Sequence, residues 1–228
     1  LTTNHSKIFL KYNEIELYLQ YIDLFFDNFI PPIPGKLNVD YLNRKIRVCT
    51  ECPLHRTRNH AIPGAGPVPC HMLIIGQAPG NIEDQINALF VGPSGQIFDQ
   101  LIRHARITRE SFYLTNLIKC MLPKSRRPAR DEIMQCAHYL RQEIRMVQPS
   151  VMVPLGFHAT RFLFKEFGLP FPPKHDVHAL FGDIIRSSNH WIYPLRHPTA
   201  LLFNPDKKEV MQKNYGRLYT LMNDDSYV

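Results

Sequence analysis

His71-Met72-Leu73-Ile74-Ile75-Gly76-Gln77-Ala78-Pro79-Gly80 reads as a strand covered on both faces that runs into a turn, because a short unbroken apolar run ends at Gly and Pro. After it the chain alternates β-rich runs with longer amphipathic segments. Ile97, Phe98, Leu101, Ile102 and Ala105 mark a helix, and Ser111 to Leu117 a second strand. Helical spacing returns at Ile133, Ala137, Leu140, Ile144 and Val147. Val151 to Leu155 predicts a third strand ending at Gly156, and Trp191 to Leu195 a fourth. A closing helix runs through Val210, Asn214, Leu218 and Leu221. Repeated βα units of this kind build a parallel sheet with helices on its faces. The expected fold is therefore α/β, a three-layer α/β/α sandwich with a central four-stranded parallel sheet.

Upstream, Ile8, Tyr12, Ile15, Tyr18, Leu19 and Ile22 recur near helical spacing until Pro31, Pro32 and Pro34 break the pattern. This predicts an N-terminal helical appendage and Pro-rich connector over residues 1–45, with the main domain over 46–228. The 228 residues, 44% hydrophobic and 21% charged, can bury a core without disulfide staples and are too apolar for a disordered chain. No apolar run is long enough to cross a bilayer, and no basic-then-apolar leader is in view, so the expectation is a cytoplasmic protein with no membrane role. A formal net charge of +7 favours an anionic partner, with nucleic acid ahead of a membrane surface. A monomer is expected.

In open parallel sheets, ligands sit beyond the carboxyl ends of the strands, where side chains and helix amino termini converge. Those ends carry Gly76-Gln77-Ala78-Pro79-Gly80, Asn116, Gly156 and His197-Pro198-Thr199, and three of the four present polar groups able to read a small heterocycle. The cysteines form a second constellation. Cys49-Thr50-Glu51-Cys52 has the spacing that turns two thiolates onto one metal centre, and Cys120 and Cys136 follow, leaving Cys70 over. Four thiolates suit zinc or an iron-sulfur cluster equally, while the bland alternative makes Cys120 and Cys136 buried hydrophobes.

These residues resemble the family 4 uracil-DNA glycosylases, the iron-sulfur branch of their superfamily. The likeness is carried by Cys49-x2-Cys52-Pro53-Leu54, Gly76-Gln77-Ala78-Pro79-Gly80 with Glu83-Asp84, and Phe90-Val91-Gly92-x-Ser94-Gly95. It continues through Thr115-Asn116-x2-Lys119-Cys120, Arg127-Pro128, Glu132-x3-Cys136, Leu155-Gly156 and His197-Pro198-Thr199. The resemblance implies a monofunctional DNA glycosylase of base excision repair that hydrolyses the N-glycosidic bond of uracil in single- or double-stranded DNA. It implies a 4Fe-4S cluster on Cys49, Cys52, Cys120 and Cys136, with zinc as the alternative.

The same likeness assigns roles in the pocket. Phe90 is the stacking platform, Asn116 reads the base edge, and His197 donates to uracil O2 as negative charge moves onto the base. Gln77 and Ala78 contact the base, and Glu83 lies near its C5 side or the attacking water. Leu201 wedges into the gap left by the flipped nucleotide, with Thr199, Arg126 and Arg127 toward DNA. By its charge alone, the loop holding Lys119, Lys124, Arg126, Arg127 and Arg130 reads as a phosphate-facing surface shaped by the cluster, with a solvated turn as the bland alternative. The chain departs from the family where Gln77 replaces a glutamate, Thr199 a serine and Met121-Leu122 an Arg-Pro pair. Loss of that carboxylate leaves open a weakened or inactive DNA-binding member, or a glycosylase for other deaminated bases.

Overall fold

A computed structural model describes residues 39–187 and 189–227. The described residues belong to one compact unit, Asn38–Val228. The expected appendage helix lies outside the described residues. The expected boundary at 45 falls inside helix α1 (Val39–Arg47), whose Leu42 and Ile46 are buried. Among the described residues, no helix is long and apolar enough to cross a membrane.

The strands are β1 (Met72–Gly76), β2 (Tyr113–Asn116), β3 (Val151–Pro154), β4 (Ile185–Arg186) and β5 (Trp191–Ile192), in the sheet order β2-β1-β3-β5-β4. β1 pairs in parallel with β2 and β3, and β3 with β5. The sheet thus holds the four parallel strands expected and one more. That fifth strand, β4, runs antiparallel along β5 at the edge, and two residues are too few to leave a periodic signal. The fourth expected strand is short as a ladder but continues as extended chain: Tyr193 N–H donates to Met152 O at 2.9 Å, and Leu195 N–H to Pro154 O at 3.0 Å.

Alternation within the strands sorts the core into two layers. Leu73, Ile75, Tyr113, Met152 and Ile192 face one side. There they meet α1, α4 (Arg130–Val147) and α5 (Phe157–Glu166). Met72, Ile74, Leu114, Val151 and Val153 face the other side. They meet α3 (Pro93–His104), α7 (Lys208–Gly216) and α8 (Leu218–Asn223). Every residue of β1 is buried, as a strand covered twice must be. The closing helix expected as one piece is two, broken at Arg217. α5 and the short α2 (Asn81–Ile86) were not marked by periodicity.

The connection from β1 goes to β2 on one side, while β3 and β5 lie on the other, so the winding reverses between β1 and β3. That switch point opens a crevice at the strand carboxyl ends. One buried polar cluster fixes its geometry. Lys119 and Glu143 are fully buried, and Lys119 Nζ lies 2.5 Å from Glu143 Oε2, 2.7 Å from Thr115 Oγ1 and 2.8 Å from Asn116 O. Glu143 also accepts from Thr115 Oγ1 and from Gly64 N–H at 3.0 Å. Lys119 is therefore a structural anchor rather than part of a phosphate-facing loop, which corrects the sequence expectation. Lys119→Met is expected to strand the carboxylate and destabilise the protein by about 3–5 kcal/mol. A urea midpoint indistinguishable from wild type would refute this, and Lys119→Met/Glu143→Gln should recover part of the loss.

Candidate active site

β1 ends at Gly76, and the absence of a side chain there lets two neighbours close in. A Cβ at Gly76 would stand 2.2 Å from Asn116 Oδ1 and 2.7 Å from Phe90 Cζ. Asn116, at the end of β2 and paired in register with Gly76, is buried, and its Oδ1 has no hydrogen-bond partner. An acceptor left free in a buried wall is rare and costs about 1–3 kcal/mol of desolvation.

Phe90 sits at φ +51°, a conformation costly for a bulky residue, and both flanks of its loop are clamped. Arg109 donates to Leu89 O at 2.9 Å and to Phe90 O at 2.5 Å, and is itself paired with Asp99 at 2.8 Å. On the other flank Glu83 Oε1 accepts from Val91 N–H at 3.1 Å and from Gly92 N–H at 2.9 Å. Gly95 lies beneath, where a Cβ would stand 1.9 Å from Phe90 O. The structure thus turns Glu83 onto the platform loop. The next residue, Asp84, accepts from the backbone of Asn59 and His60. This ties α2 to the segment that follows Cys52.

His197 follows β5 on extended chain, and its ring centroid lies 6.0 Å from that of Phe90. It keeps part of its surface open, yet dense protein surrounds it, and this desolvation pulls its pKa down to about 4. Hydrogen bonds fix its tautomer. Thr199 N–H donates to Nδ1 at 3.2 Å, so Nδ1 is an acceptor and the proton resides on Nε2. Thr199 Oγ1, 2.7 Å from Nδ1, must donate to it, and in turn accepts from Ser94 Oγ at 2.8 Å. Ser94 and Thr199 form a relay that leaves Nε2–H free to donate, a role sequence reasoning had not given Ser94.

Gln77 and Ala78 continue from Gly76 and are half-buried, and the Gln77 carbonyl is held by Ile118 N–H at 2.9 Å. Leu201 does not project: it packs half-buried against the core. The apolar side chains that do project from helix α6 (Ala200–Phe203) are Leu202 and Phe203, the latter 83% exposed. Arg126 is exposed but clamped to Glu132 at 2.8 and 2.5 Å. Arg127 is exposed and close enough to His158 to add to the effect of burial in lowering that imidazole's pKa.

The four expected cysteines approach one another outside this pocket. Burial pushes the thiols of Cys52 and Cys120 up, and that of Cys136 to about 12. Cys49 and Cys52 each add to the rise at Cys120, and Cys120 and Cys52 to that at Cys136. Arg58 donates to Cys120 Sγ at 2.9 Å and to Cys49 O at 2.6 Å, and Lys119 N–H to Cys136 Sγ at 3.3 Å. Among the described residues, no three His, Cys, Asp or Glu side chains are grouped as a single-ion site. Cys70 stands apart, its thiol 3.4 Å from Met72 O.

An aromatic ring, an amide with a free acceptor and a neutral imidazole thus lie together at the strand ends, an arrangement able to stack a flat heterocycle and to donate to charge that builds on it. Comparison with known proteins gives the family. Residues 63–218 match the model of the uracil DNA glycosylase superfamily. A type-4 uracil-DNA glycosylase of Saccharolobus solfataricus is 33% identical over 79% of this chain and 85% of its own length. One from Archaeoglobus fulgidus is 30% identical over 79% and 92%, and one from Sulfurisphaera tokodaii 28% over 81% and 84%. The chain belongs to the uracil-DNA glycosylase superfamily, in its type-4 branch.

The depressed pKa makes a signed prediction. Between the ordinary histidine value of about 6.5 and about 4, the unfolded chain binds a proton at this site that the native protein refuses. This contribution to stability is complete above the upper value and is lost as pH falls through the lower one. Nitrogen-15 NMR is expected to show His197 neutral with its proton on Nε2 at pH 6; an imidazolium there would contradict the relay.

Proposed function

We infer that this type-4 branch member is a DNA-repair hydrolase that excises uracil from DNA. The observation that carries the reading is the free, buried Asn116 Oδ1 facing Phe90 across Gly76. A base inside a duplex is out of reach, so the target nucleotide is rotated out of the stack. Uracil then lies against Phe90. Asn116 Oδ1 accepts from its N3–H and the amide NH2 donates to O4, whereas cytosine offers the opposite polarity and is rejected. As the N1–C1′ bond breaks, its electron pair moves onto the base, and Nε2–H of neutral His197 donates to O2 where the charge collects. Water adds to the oxocarbenium carbon C1′ and releases a proton, leaving an abasic site and free uracil.

In this reading Glu83 serves the platform loop and Gln77 holds no carboxylate, so attack of water relies on the reactivity of the sugar cation and on positioning. Gln77 and Ala78 line the base side of the pocket. Phe203 and Leu202, rather than Leu201, fill the gap in the stack, since an exposed apolar side chain can replace lost stacking. Arg127 and, once released from Glu132, Arg126 face the phosphates, while Thr199, expected toward DNA, is committed to the relay on His197.

Cys49, Cys52, Cys120 and Cys136 fit a four-thiolate group and would hold the 4Fe-4S cluster. When bound, that cluster supplies a covalent tie between the segment before β1, the loop after β2 and α4. Arg58 and the Lys119 N–H donate to the Cys120 and Cys136 sulfurs and would steady their negative charge as thiolate ligands.

The test is release of free uracil, with alkali-labile sites, from single- and double-stranded oligonucleotides; no release from either would sink the assignment. His197→Ala is expected to lose about 10²-fold or more in single-turnover rate, and Phe203→Ala to lose more on double- than on single-stranded substrate. For the metal, purified protein is expected to contain iron and acid-labile sulfide with visible absorption that Cys136→Ser abolishes. Stoichiometric zinc without iron would overturn the cluster.

A further inference from the structure

Beside the active site, a second cavity of about 650 Å³ opens against the edge strand β2. Tyr113 and Leu114 form its floor, and the 62–66 segment and the 87–91 loop its walls. Helix α1 closes the third side. Val39, Asn43 and Arg47 recur every fourth residue on α1, and all three line the cavity. Leu42 and Ile46, one residue back in each repeat, go to the core.

Among the described residues, three buried side-chain polar atoms lack a hydrogen-bond partner: Asn116 Oδ1, Asn43 Oδ1 and the Tyr113 hydroxyl. The first is accounted for by the base in the active site. The other two both belong to residues lining this cavity, and Tyr113 is wholly buried. Native proteins leave few such atoms, so two on one cavity ask for a ligand that supplies both missing bonds.

The lining specifies the chemistry of that ligand. Asn43 Oδ1 only accepts, so the ligand must bring an N–H. The Tyr113 hydroxyl donates, so it must also bring an acceptor. Ile62, Leu89 and Leu114 flank these groups with apolar surface suited to a flat ring. Arg47, exposed and held by a single long bond of 3.4 Å to Asn87 Oδ1, has guanidinium donors left for an anion. Glu110, in the same lining, offers an acceptor for a sugar hydroxyl or an exocyclic amino group.

We propose that this cavity binds one nucleotide unit, its base between the 62–66 segment and Leu89 and its phosphate at Arg47. The nucleotide is either a free monophosphate or one residue of the DNA strand outside the flipped position. Its site shares a wall with the catalytic platform, because Leu89 and Val91 line the cavity while Arg109 and Glu83 hold the same loop around Phe90.

The experiment is thermal unfolding of the full chain with thymidine 5′-monophosphate, with oligothymidylate, and with deoxyribose 5-phosphate as a probe lacking the base. Wild type is expected to be stabilised by at least one of the first two and not by the third. Stabilisation by the monophosphate identifies the free nucleotide as sufficient, and stabilisation by oligothymidylate alone identifies the strand. Tyr113→Phe removes a hydroxyl that has no partner in the unliganded protein. It should unfold at the same or a higher temperature than wild type without ligand, with affinity for the stabilising probe reduced tenfold or more. Asn43→Leu should show the same loss of affinity. No stabilisation of wild type, stabilisation retained in both variants, or a lower unliganded unfolding temperature for Tyr113→Phe would each overturn the proposal. None of these readings needs turnover, so they stand apart from success or failure of uracil release.

Discussion

The buried pair of Lys119 and Glu143 holds together parts of the molecule that the sequence keeps far apart. Lys119 Nζ pins Thr115 and the carbonyl of Asn116 at the end of β2, while its backbone N–H reaches Cys136 Sγ and its backbone carbonyl accepts from Ile62 N–H at 2.8 Å. Glu143 holds Gly64 from the opposite side. Asn116, the cysteine set and the wall of the second cavity therefore share one electrostatic anchor. Desolvating both charges costs about as much as their attraction returns, so the pair is better understood as fixing position than as adding stability. In the proposed mechanism the reading of uracil by Asn116 depends on that fixity, since an amide that can rotate or drift accepts cytosine as readily.

In the proposed mechanism position matters because the group assigned to the departing base, His197, is uncharged. An imidazolium at His197 would attract the anionic phosphates and the departing base alike, in the ground state as well as at the barrier. A neutral Nε2–H bonds weakly to the uracil carbonyl and strongly to the developing anion, and only the difference between those two states accelerates the reaction. Burial of His197 and the hydroxyl relay from Ser94 through Thr199 produce that neutral donor. Thr199 keeps the hydroxyl of the serine it replaces, so this departure from the family leaves the relay whole.

Much of this architecture was legible in the sequence, for identifiable reasons. Four parallel strands showed because doubly covered strands are continuously apolar, and the strand-end residues Gly76, Asn116 and His197 converge because the topology requires it. β4 and α2 were too short to be periodic. Lys119 was misread because charge in a basic loop looks solvated. The counter-signal was Glu143, which stands on the inward face of α4 in step with Cys136, Tyr139, Leu140 and Val147 and needs a buried cation. That Leu202 and Phe203 project while Leu201 packs inward was not legible, since exposure on a one-turn helix depends on how the following Asn204-Pro205 segment leaves it. The relay through Ser94 spans 105 residues and has no local signature.

Glu83 shows how one carboxylate can be essential without touching the reaction. Its motif position beside the pocket invites a role as base, yet both amides that follow Phe90 are satisfied by its Oε1. Without it, Phe90 would hold a left-handed conformation with two unpaired N–H groups, and the strain and desolvation together exceed what one stacked ring returns. A platform in the wrong place abolishes selection of the base, whereas a missing base at Gln77 slows attack on a sugar cation that reacts with unassisted water. The fold therefore spends its carboxylate on geometry, and under the proposed mechanism Gln77 is tolerable for the same reason, since the leaving group is stabilised by His197 rather than by a base.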